Sequence, residues 1–328
     1  MKHSDDTEGK GYCPVCNEIL NGKCAVQAHN LTLTDGIIVN FYMDLTDKVD
    51  ASNTKMKFTY NGKTSEATPV SKKVEGVTYD YTYSCELFAT EMNETITAEF
   101  YEGDEKLATY TYSVKAYCDN TLTDESNATN DLINAMMTYG AMSQQFFGTD
   151  GELVTDGVPT ALDASELAAL QSGYTKQNYA YDATNNVNGE KIRVYGMTLV
   201  LYAETALRAG FSLGTGYSMS DFEFTPYMKS GDTYVEISNE VKSGVYRDAN
   251  SNAVPYFEIR GINPAKLSEN YKIVVSQGEN TLIEIPYSPF TYINNKLNDE
   301  SSTEALKNVV TAMYRYNEAA KAYTGTAN

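Results

Sequence analysis

Apolar and polar residues alternate along several short stretches of the first half of the chain, for example KFTY at 57–60 and ATYTY at 108–112. Successive side chains of a β-strand point to opposite faces of a sheet, so this period of two predicts strands with one buried face. The predicted strands cover residues 37–43, 55–60, 78–88, 95–101 and 106–114.

A helical period follows these strands. Apolar and small residues are then spaced four, three, four and three apart, at Leu132, Met136, Tyr139, Ser143 and Phe146. That spacing is typical of an amphipathic helix, and a shorter helical segment is expected at 116–122. A run of strands followed by helices favours a small antiparallel sandwich with a helical tail over a βαβ fold.

The second half of the chain repeats this pattern. Residues 92–126 align without a gap on residues 267–301, and 11 of these 35 positions are identical. Unrelated sequences of average composition would share about two. After a two-residue insertion, the helical stretch at 132–148 matches the one at 309–325. The sequence therefore predicts a tandem duplication.

The expected fold class is mainly β with C-terminal helices (α+β). It consists of two tandem antiparallel β-sandwich modules of the Ig-like type, each closed by an amphipathic helix. The expected boundaries are a Cys/His-rich N-terminal segment at 1–29, copy one at 30–148, a linker with a short helix at 149–189, and copy two at 190–328.

Composition narrows the classes of partner. Asp and Glu outnumber Lys and Arg by 44 to 25, which gives a formal net charge of −19. Such a surface repels phosphate backbones and anionic lipids, so we expect neither nucleic-acid binding nor membrane insertion. The N-terminus lacks the apolar core of a signal peptide, so an export signal would have to lie upstream.

Residues with metal-ligating side chains are concentrated in the first 29 positions. The candidate ligands are His3, Cys13, Cys16, Cys24 and His29, and they include both histidines of the chain. Two thiolates spaced as in Cys13-Pro-Val-Cys16 can reach one tetrahedral ion, and this donor set favours structural Zn²⁺. A redox pair and a local disulfide remain open alternatives for the same spacing.

Two further cysteines lie in copy one. Cys85 and Cys118 align approximately with Phe257 and Ile293 of copy two, which are apolar. This favours buried thiols, with a disulfide as the alternative.

Neither repeat contains His3 or His29, so neither predicted module can form a Ser-His-Asp or Cys-His catalytic site. A glycoside hydrolase that uses two carboxylates stays open, because 44 acidic residues leave many pairs to choose from. The chain has 27 Tyr and no Trp, so a carbohydrate platform would have to be built from tyrosines. The candidates are Tyr179, Tyr181, Tyr217 and Tyr246.

Two stretches carry a family resemblance. Residues 3–17, HSDDTEGKGYCPVCN, resemble the HxDxxxDGxCxxCG segments between domains of clostridial surface proteins, with Lys10 and Asn17 as departures from that pattern. The segments at 39–43, 112–117 and 132–148 are similar to a repeat module of large surface proteins from anaerobic gut Firmicutes. The resemblance implies an extracellular setting, associated with the cell wall or surface.

These observations predict a non-enzymatic extracellular accessory protein that binds or adheres to a cell-wall, host or dietary glycan or to a surface protein. Two other functions remain open, a structural spacer that positions neighbouring domains and a carboxylate-based glycoside hydrolase. A binding module requires an exposed aromatic or apolar patch, and a hydrolase requires a cleft with two opposed acids.

Overall fold

The structure is a computed structural model that describes residues 10–16, 18–33, 37–70, 81–149, 159–172, 179–201 and 205–326. Strand exceeds helix, 41% against 29%, the sheets are antiparallel and a helix ends the chain. The expected class, mainly β with C-terminal helices, is confirmed. In the part of the chain that the structure describes, no helix is long and apolar enough to cross a membrane.

Contacts divide the chain into two compact units. Among the described residues, the first unit ends at Ile133 and the second begins at Asn134. Each unit contains two antiparallel sheets, which we call its front sheet and its back sheet.

The first unit has a three-stranded front sheet in the order β1-β2-β5 and a four-stranded back sheet in the order β4-β3-β6-β7. A helix, α1 (Val114–Leu122), follows them. The strands are β1 (Cys24–Thr32), β2 (Ile37–Leu45), β3 (Thr54–Tyr60), β4 (Lys63–Ala67), β5 (Tyr81–Leu87), β6 (Thr95–Glu102) and β7 (Glu105–Ser113).

Buried aromatic rings form the core of the first unit. Phe41 of the front sheet lies 5.8 Å from Phe58 of the back sheet, measured between ring centroids. Tyr83 of the front sheet lies 5.3 Å from Phe100 of the back sheet. Both contacts join alternate, inward-pointing positions of the strands, as the period of two predicts.

The second unit has a front sheet in the order β9-β10-β14-β13 and a five-stranded back sheet in the order β12-β11-β15-β16-β8. The strands are β8 (Ala180–Tyr181), β9 (Ile192–Val200), β10 (Ala206–Leu213), β11 (Glu223–Ser230), β12 (Thr233–Glu236), β13 (Val241–Arg247), β14 (Ala253–Ile259), β15 (Tyr271–Gln277) and β16 (Asn280–Tyr287). The helices are α2 (Asn130–Phe147), α3 (Ala164–Ser172), α4 (Pro289–Asn298) and α5 (Glu304–Thr326).

The core of this unit is also aromatic where its sheets meet. Phe224 of the back sheet lies 5.2 Å from Phe211 and 5.1 Å from Phe257, both of the front sheet. Phe211 and Phe257 therefore point towards the back sheet. The other side of the front sheet faces away from this core.

If β8 and β13 are left out, the strands of the two units follow the same order in the front sheet and in the back sheet. They also share two β-bulges. The extra residue is Gln27 in β1 and Tyr195 in β9, and it is Leu107 in β7 and Leu282 in β16. Leu107 and Leu282 are 175 positions apart, which is the shift of the sequence alignment. A duplication of the sequence would produce this correspondence.

The contact boundary differs from the expected end of copy one at residue 148. It falls inside α2, because the rest of that helix packs in the second unit, where the ring of Tyr139 stacks on Tyr316 at 5.9 Å. The segment expected as a linker also contributes to this unit, because β8 pairs with β16.

Besides β8, other strands lie where the sequence predicted none. β1 runs through the expected Cys/His-rich segment, β4 forms the edge of the first back sheet, and β13 is an extra edge strand of the second front sheet. Thr303 caps the last helix, since its hydroxyl accepts a hydrogen bond from Leu306 N at 3.2 Å.

Cys85 and Cys118 are buried thiols without a disulfide, as the sequence favoured. Burial raises the pKa of each to about 12. Cys85 pairs with Val39 in the first front sheet, and Ile259 pairs with Leu207 at the equivalent place of the second. The structural counterpart of Cys85 is therefore Ile259 and not Phe257. The counterpart is apolar in either alignment.

Candidate functional site

Cys13 and Cys16 come together in a tight turn at the start of the described chain. Cys13 N donates to Glu18 O at 2.9 Å and closes the turn. A backbone hydrogen bond at Glu18 lowers the pKa of the Cys16 thiol. The hydrogen bond with the Cys13 side chain and desolvation together raise this pKa by more, so the net shift is upward. Redox-active CxxC thiols have lowered pKa values, so the direction of this shift does not favour the redox alternative.

Cys24 and His29 lie on one extended strand, β1. At about 3.3 Å per residue, five residues separate their Cα atoms by about 16 Å. One tetrahedral ion cannot take both as ligands, because metal–ligand bonds are about 2.0–2.3 Å long. Cys24 is buried beside Asn21 Nδ2 at 3.6 Å, and burial raises the pKa of its thiol.

His29 lies edge-on to two rings, with centroid distances of 4.8 Å to Tyr112 and 6.4 Å to Phe41. Desolvation beside these rings lowers the pKa of His29, and the charge of Lys10 lowers it further. His3 lies outside the described residues. Within the ranges the structure describes, no three His, Cys, Asp or Glu side chains are grouped to hold a metal ion, so the zinc site stays a prediction.

The four candidate tyrosines do not form one platform. Tyr217 packs on Phe222 at 5.8 Å, and the Tyr181 hydroxyl accepts a hydrogen bond from Val194 N at 3.2 Å. Tyr179 is half-buried. Tyr246, in contrast, lies in a cluster of aromatic and charged side chains on the second front sheet.

This cluster occupies the side of the second front sheet that faces away from the core, and we call it the tyrosine face. Gly196, Gly210, Tyr256 and Gly244 stand in one row across its four strands, because these residues are paired in register. The remaining members are Tyr195, Arg208, Tyr246 and Glu258, with Val254 beneath Tyr246.

Two tyrosine rings lie flat along this surface. The hydroxyl of Tyr246, on β13, lies 3.0 Å from the position that a Cβ would take at Gly210, on β10. β14 lies between these two strands, so their axes are about 9.5 Å apart. Only a side chain that extends along the sheet surface can reach that far. Tyr256 reaches in the same way over Gly244, where its hydroxyl lies 2.8 Å from the Cβ position. Gly210 and Gly244 provide the room for these rings.

Arg208 stacks on the rings and is neutralised from one side. Its guanidinium carbon lies 4.1 Å from the ring centroid of Tyr256 and 5.5 Å from that of Tyr246. Its Nη2 lies 2.7 Å from the buried carboxylate of Glu258. Cation–π contact and ion pairing together hold Arg208, Tyr246, Tyr256 and Glu258 in fixed rotamers.

Tyr195 borders the face and is its most exposed ring, with 50% of its surface accessible. It is the extra residue of the bulge in β9, and its hydroxyl donates to Asp248 Oδ2 at 2.5 Å. Asp248 also accepts from Asn250 N at 2.9 Å and from Asn252 N at 2.8 Å, which holds the turn between β13 and β14. The Tyr195 hydroxyl and the Asn252 side chain lower the pKa of Asp248 to about 2.

Gly196 leaves a gap without a side chain next to these rings, and we call this gap the depression at Gly196. A Cβ added at Gly196 would meet no heavy atom of the described chain within 4 Å. Gly196 is paired with Gly210, where the Tyr246 hydroxyl ends, and it directly follows Tyr195. The sheet surface is therefore open at Gly196 and bordered by aromatic side chains.

The first unit has no such face among its described residues. The position of Gly210 is occupied by Tyr42, and that of Arg208 by Asn40. Asn40 is held by hydrogen bonds within the sheet, from its Nδ2 to Asn30 Oδ1 at 2.9 Å and from the Ser84 hydroxyl to its Oδ1 at 2.7 Å.

Two clefts elsewhere bear on the hydrolase alternative. One, of 360 Å³, lies among α3, α4 and α5 and is lined by a single acid, Glu304. The other, of 280 Å³, lies in the first unit and is lined by Asp47 alone. Neither cleft brings together the two opposed carboxylates that glycoside hydrolysis requires.

Sequence reasoning identified Tyr246 but missed Tyr195, Tyr256 and Arg208. Their partners lie up to 53 residues away along the chain, and only the strand register brings them together. No protein-family model matches this sequence, and no curated protein matches it.

Proposed function

We propose that this chain is a non-enzymatic extracellular accessory protein that binds a glycan or protein ligand through the tyrosine face. The observation that carries the proposal is the half-buried, pre-arranged ring of Tyr246 beside the exposed ring of Tyr195, with the buried ring of Tyr256 packed next to Tyr246. Binding loses little side-chain entropy when the rings are already held in place.

The proposed architecture is a pair of Ig-like sandwiches produced by duplication. The ring contacts between front and back sheets in both units support the sandwiches. The shared strand order and bulges support the duplication. Fixed antiparallel sheets are a common scaffold for binding surfaces in cell-surface proteins.

The proposed location is outside the cell, associated with the cell wall or cell surface. This proposal rests on the resemblance of the segments at 3–17 and 132–148 to clostridial surface proteins. The proposed partners are cell-wall, host or dietary glycans or surface proteins.

The binding proposal is tested by replacing one ring of the face and one ring outside it. Tyr246→Ala removes the ring that covers Val254 and should weaken ligand binding about ten-fold or more, as aromatic anchors typically do. Tyr234→Ala is the matched control, since Tyr234 is a half-buried tyrosine on the back sheet beside Lys272.

Glycan arrays and arrays of surface proteins supply the ligand, and surface plasmon resonance gives the affinities. Equal loss in both variants contradicts the tyrosine face as the site. No binding of any glycan or protein by the intact chain contradicts the function and supports the spacer alternative.

The proposed cofactor is a structural Zn²⁺ held by Cys13 and Cys16 with further ligands from the N-terminal segment. The adjacent thiols support this proposal. The geometry of β1 allows at most one of Cys24 and His29 as an additional ligand, and His3 is the other candidate. Elemental analysis of protein purified without chelator should find about one zinc per chain. Cys13→Ser should abolish it and Cys118→Ser should not, and a wild-type content near zero contradicts the site.

A further inference from the structure

The charges at the centre of the tyrosine face are already paired with each other. Glu258 is 4% exposed and lies 2.7 Å from Arg208 Nη2. Arg260 lies 2.7 Å from Glu240. Two exposed cationic side chains lie at the margins, Lys242 on the far end of β13 and Arg193 beside Gly189.

The polar groups that remain available at the centre are hydroxyls. The hydroxyls of Tyr246 and Tyr256 form no hydrogen bond with any described residue. The carboxylate of Asp248 is held by Tyr195 and by the turn, and its lowered pKa of about 2 keeps it an acceptor at neutral pH. Tyrosine hydroxyls and a carboxylate acceptor beside aromatic rings match the hydroxyl groups and C–H faces of sugars.

From this arrangement we infer that the tyrosine face binds a neutral glycan, with one pyranose ring seated in the depression at Gly196 between Tyr195 and Tyr246. This inference rests on the proposed binding function and names its ligand class. An acidic polysaccharide would be repelled by the net charge of −19, and it would find its potential central partner, Arg208, occupied by Glu258.

A protein ligand fits the face less well. Stable protein interfaces bury about 800 Å² on each partner around a dry apolar centre. On this face Val254 is buried beneath Tyr246, and the row across the sheet consists mainly of glycines. Such a surface suits a small ring better than a broad side-chain contact.

The decisive variant fills the depression without disturbing the sheet. Gly196→Val adds a β-branched residue to a strand position where the described chain leaves open space, so it should fold normally. Ser243→Val is the control, because it adds the same side chain to an exposed position on the opposite side of β13. Circular dichroism and thermal unfolding verify the fold of both.

Binding is measured by affinity electrophoresis through gels that contain neutral polysaccharides, such as β-glucan, xylan and galactomannan, or acidic ones, such as polygalacturonate and alginate. We expect at least one neutral polysaccharide to retard the wild type and Ser243→Val equally, and Gly196→Val to bind at least ten-fold more weakly. The retardation should persist from 50 to 500 mM NaCl, since about 1 M salt screens charges beyond about 3 Å but leaves stacking intact.

Retardation by acidic polysaccharides alone, or its loss with Lys242→Ala or in high salt, overturns the inference but leaves the proposed binding function standing. The same applies if the arrays yield only a protein ligand. Unimpaired neutral-glycan binding by Gly196→Val overturns the placement of the ring. Absence of any ligand on gels and arrays contradicts the proposed function as well.

Discussion

Single glycines shape the surface of the second front sheet. Glycine in a strand costs about 0.5–1 kcal/mol relative to alanine, because the unfolded chain has more backbone freedom to lose. Three glycines nevertheless stand in one row of this sheet. Two of them, Gly210 and Gly244, are covered by tyrosine side chains, whereas Gly196 is open.

The close contact between Tyr256 and Gly244 can be tested by substitution. Gly244→Ala would place its Cβ 2.8 to 2.9 Å from three atoms of the Tyr256 side chain. Tyr256 is 7% exposed and its ring is covered by Arg208, so displacing the ring would cost free energy. We expect a destabilisation of about 1–3 kcal/mol, typical of overpacking, measured by denaturant unfolding.

Gly196→Ala is the matched control for that measurement. Its added methyl group meets open space, so its free energy of unfolding should stay the same or rise slightly. Equal stability of the two variants would mean that the Tyr256 ring does not occupy the place above Gly244.

At the scale of elements, periodicity predicted the strands whose two faces differ clearly. The expected range 95–101 became Thr95–Glu102, and 106–114 became Glu105–Ser113. β13 was missed because Lys242, Ser243 and Gly244 interrupt its alternation of apolar residues. β1 was missed because its Cys and His residues suggested metal chemistry more strongly than its period suggested a strand.

The tyrosine face could not be predicted for a related reason. It depends on the order β9-β10-β14-β13, in which β13 pairs with β14 and not with its predecessor β12. Periodicity gives the face of a residue within its strand, but it does not give the neighbouring strand. Tyr246 and Arg208 are therefore recognisable as partners only once the sheet order is known.

The first turn of α4 is capped by a serine side chain. The Ser288 hydroxyl accepts from Thr291 N at 3.2 Å and starts α4, and Ser288 is completely buried. Ser288→Ala removes this buried acceptor and also the hydroxyl contact with Thr291 Oγ1 at 2.9 Å, so we expect a loss of about 1–2 kcal/mol in thermal or chemical unfolding. Ser301→Ala, at an exposed turn, should cost less than about 0.5 kcal/mol. Equal losses would contradict a capping role for Ser288.

The second unit includes α2 from Asn134 onwards, which is most of that helix. Met136, Tyr139 and Met142 of this helix are all buried, and Tyr139 stacks on Tyr316 of α5. These two tyrosines occupy aligned positions of the predicted repeat. The two helices that the predicted repeat aligns therefore pack against each other within a single unit.

This arrangement predicts the result of shortening the chain. A chain that starts at residue 149 lacks α2 and exposes the ring of Tyr316, so we expect a loss of at least about 3 kcal/mol, as for removal of several buried side chains. A chain that starts at residue 127 keeps the helix and should keep the stability of the second unit. Differential scanning calorimetry compares them, and equal transition temperatures would contradict the assignment of α2.

The bulge in β9 has a consequence for engineering. A bulge inserts one residue while the positions on either side keep their register, so its side chain can change without moving the sheet. Gln27 occupies the equivalent insertion in β1 of the first unit. Positions 27 and 195 are thus two equivalent sites at which a ring, an amide or a charged group could be exchanged without shifting the register of the neighbouring residues.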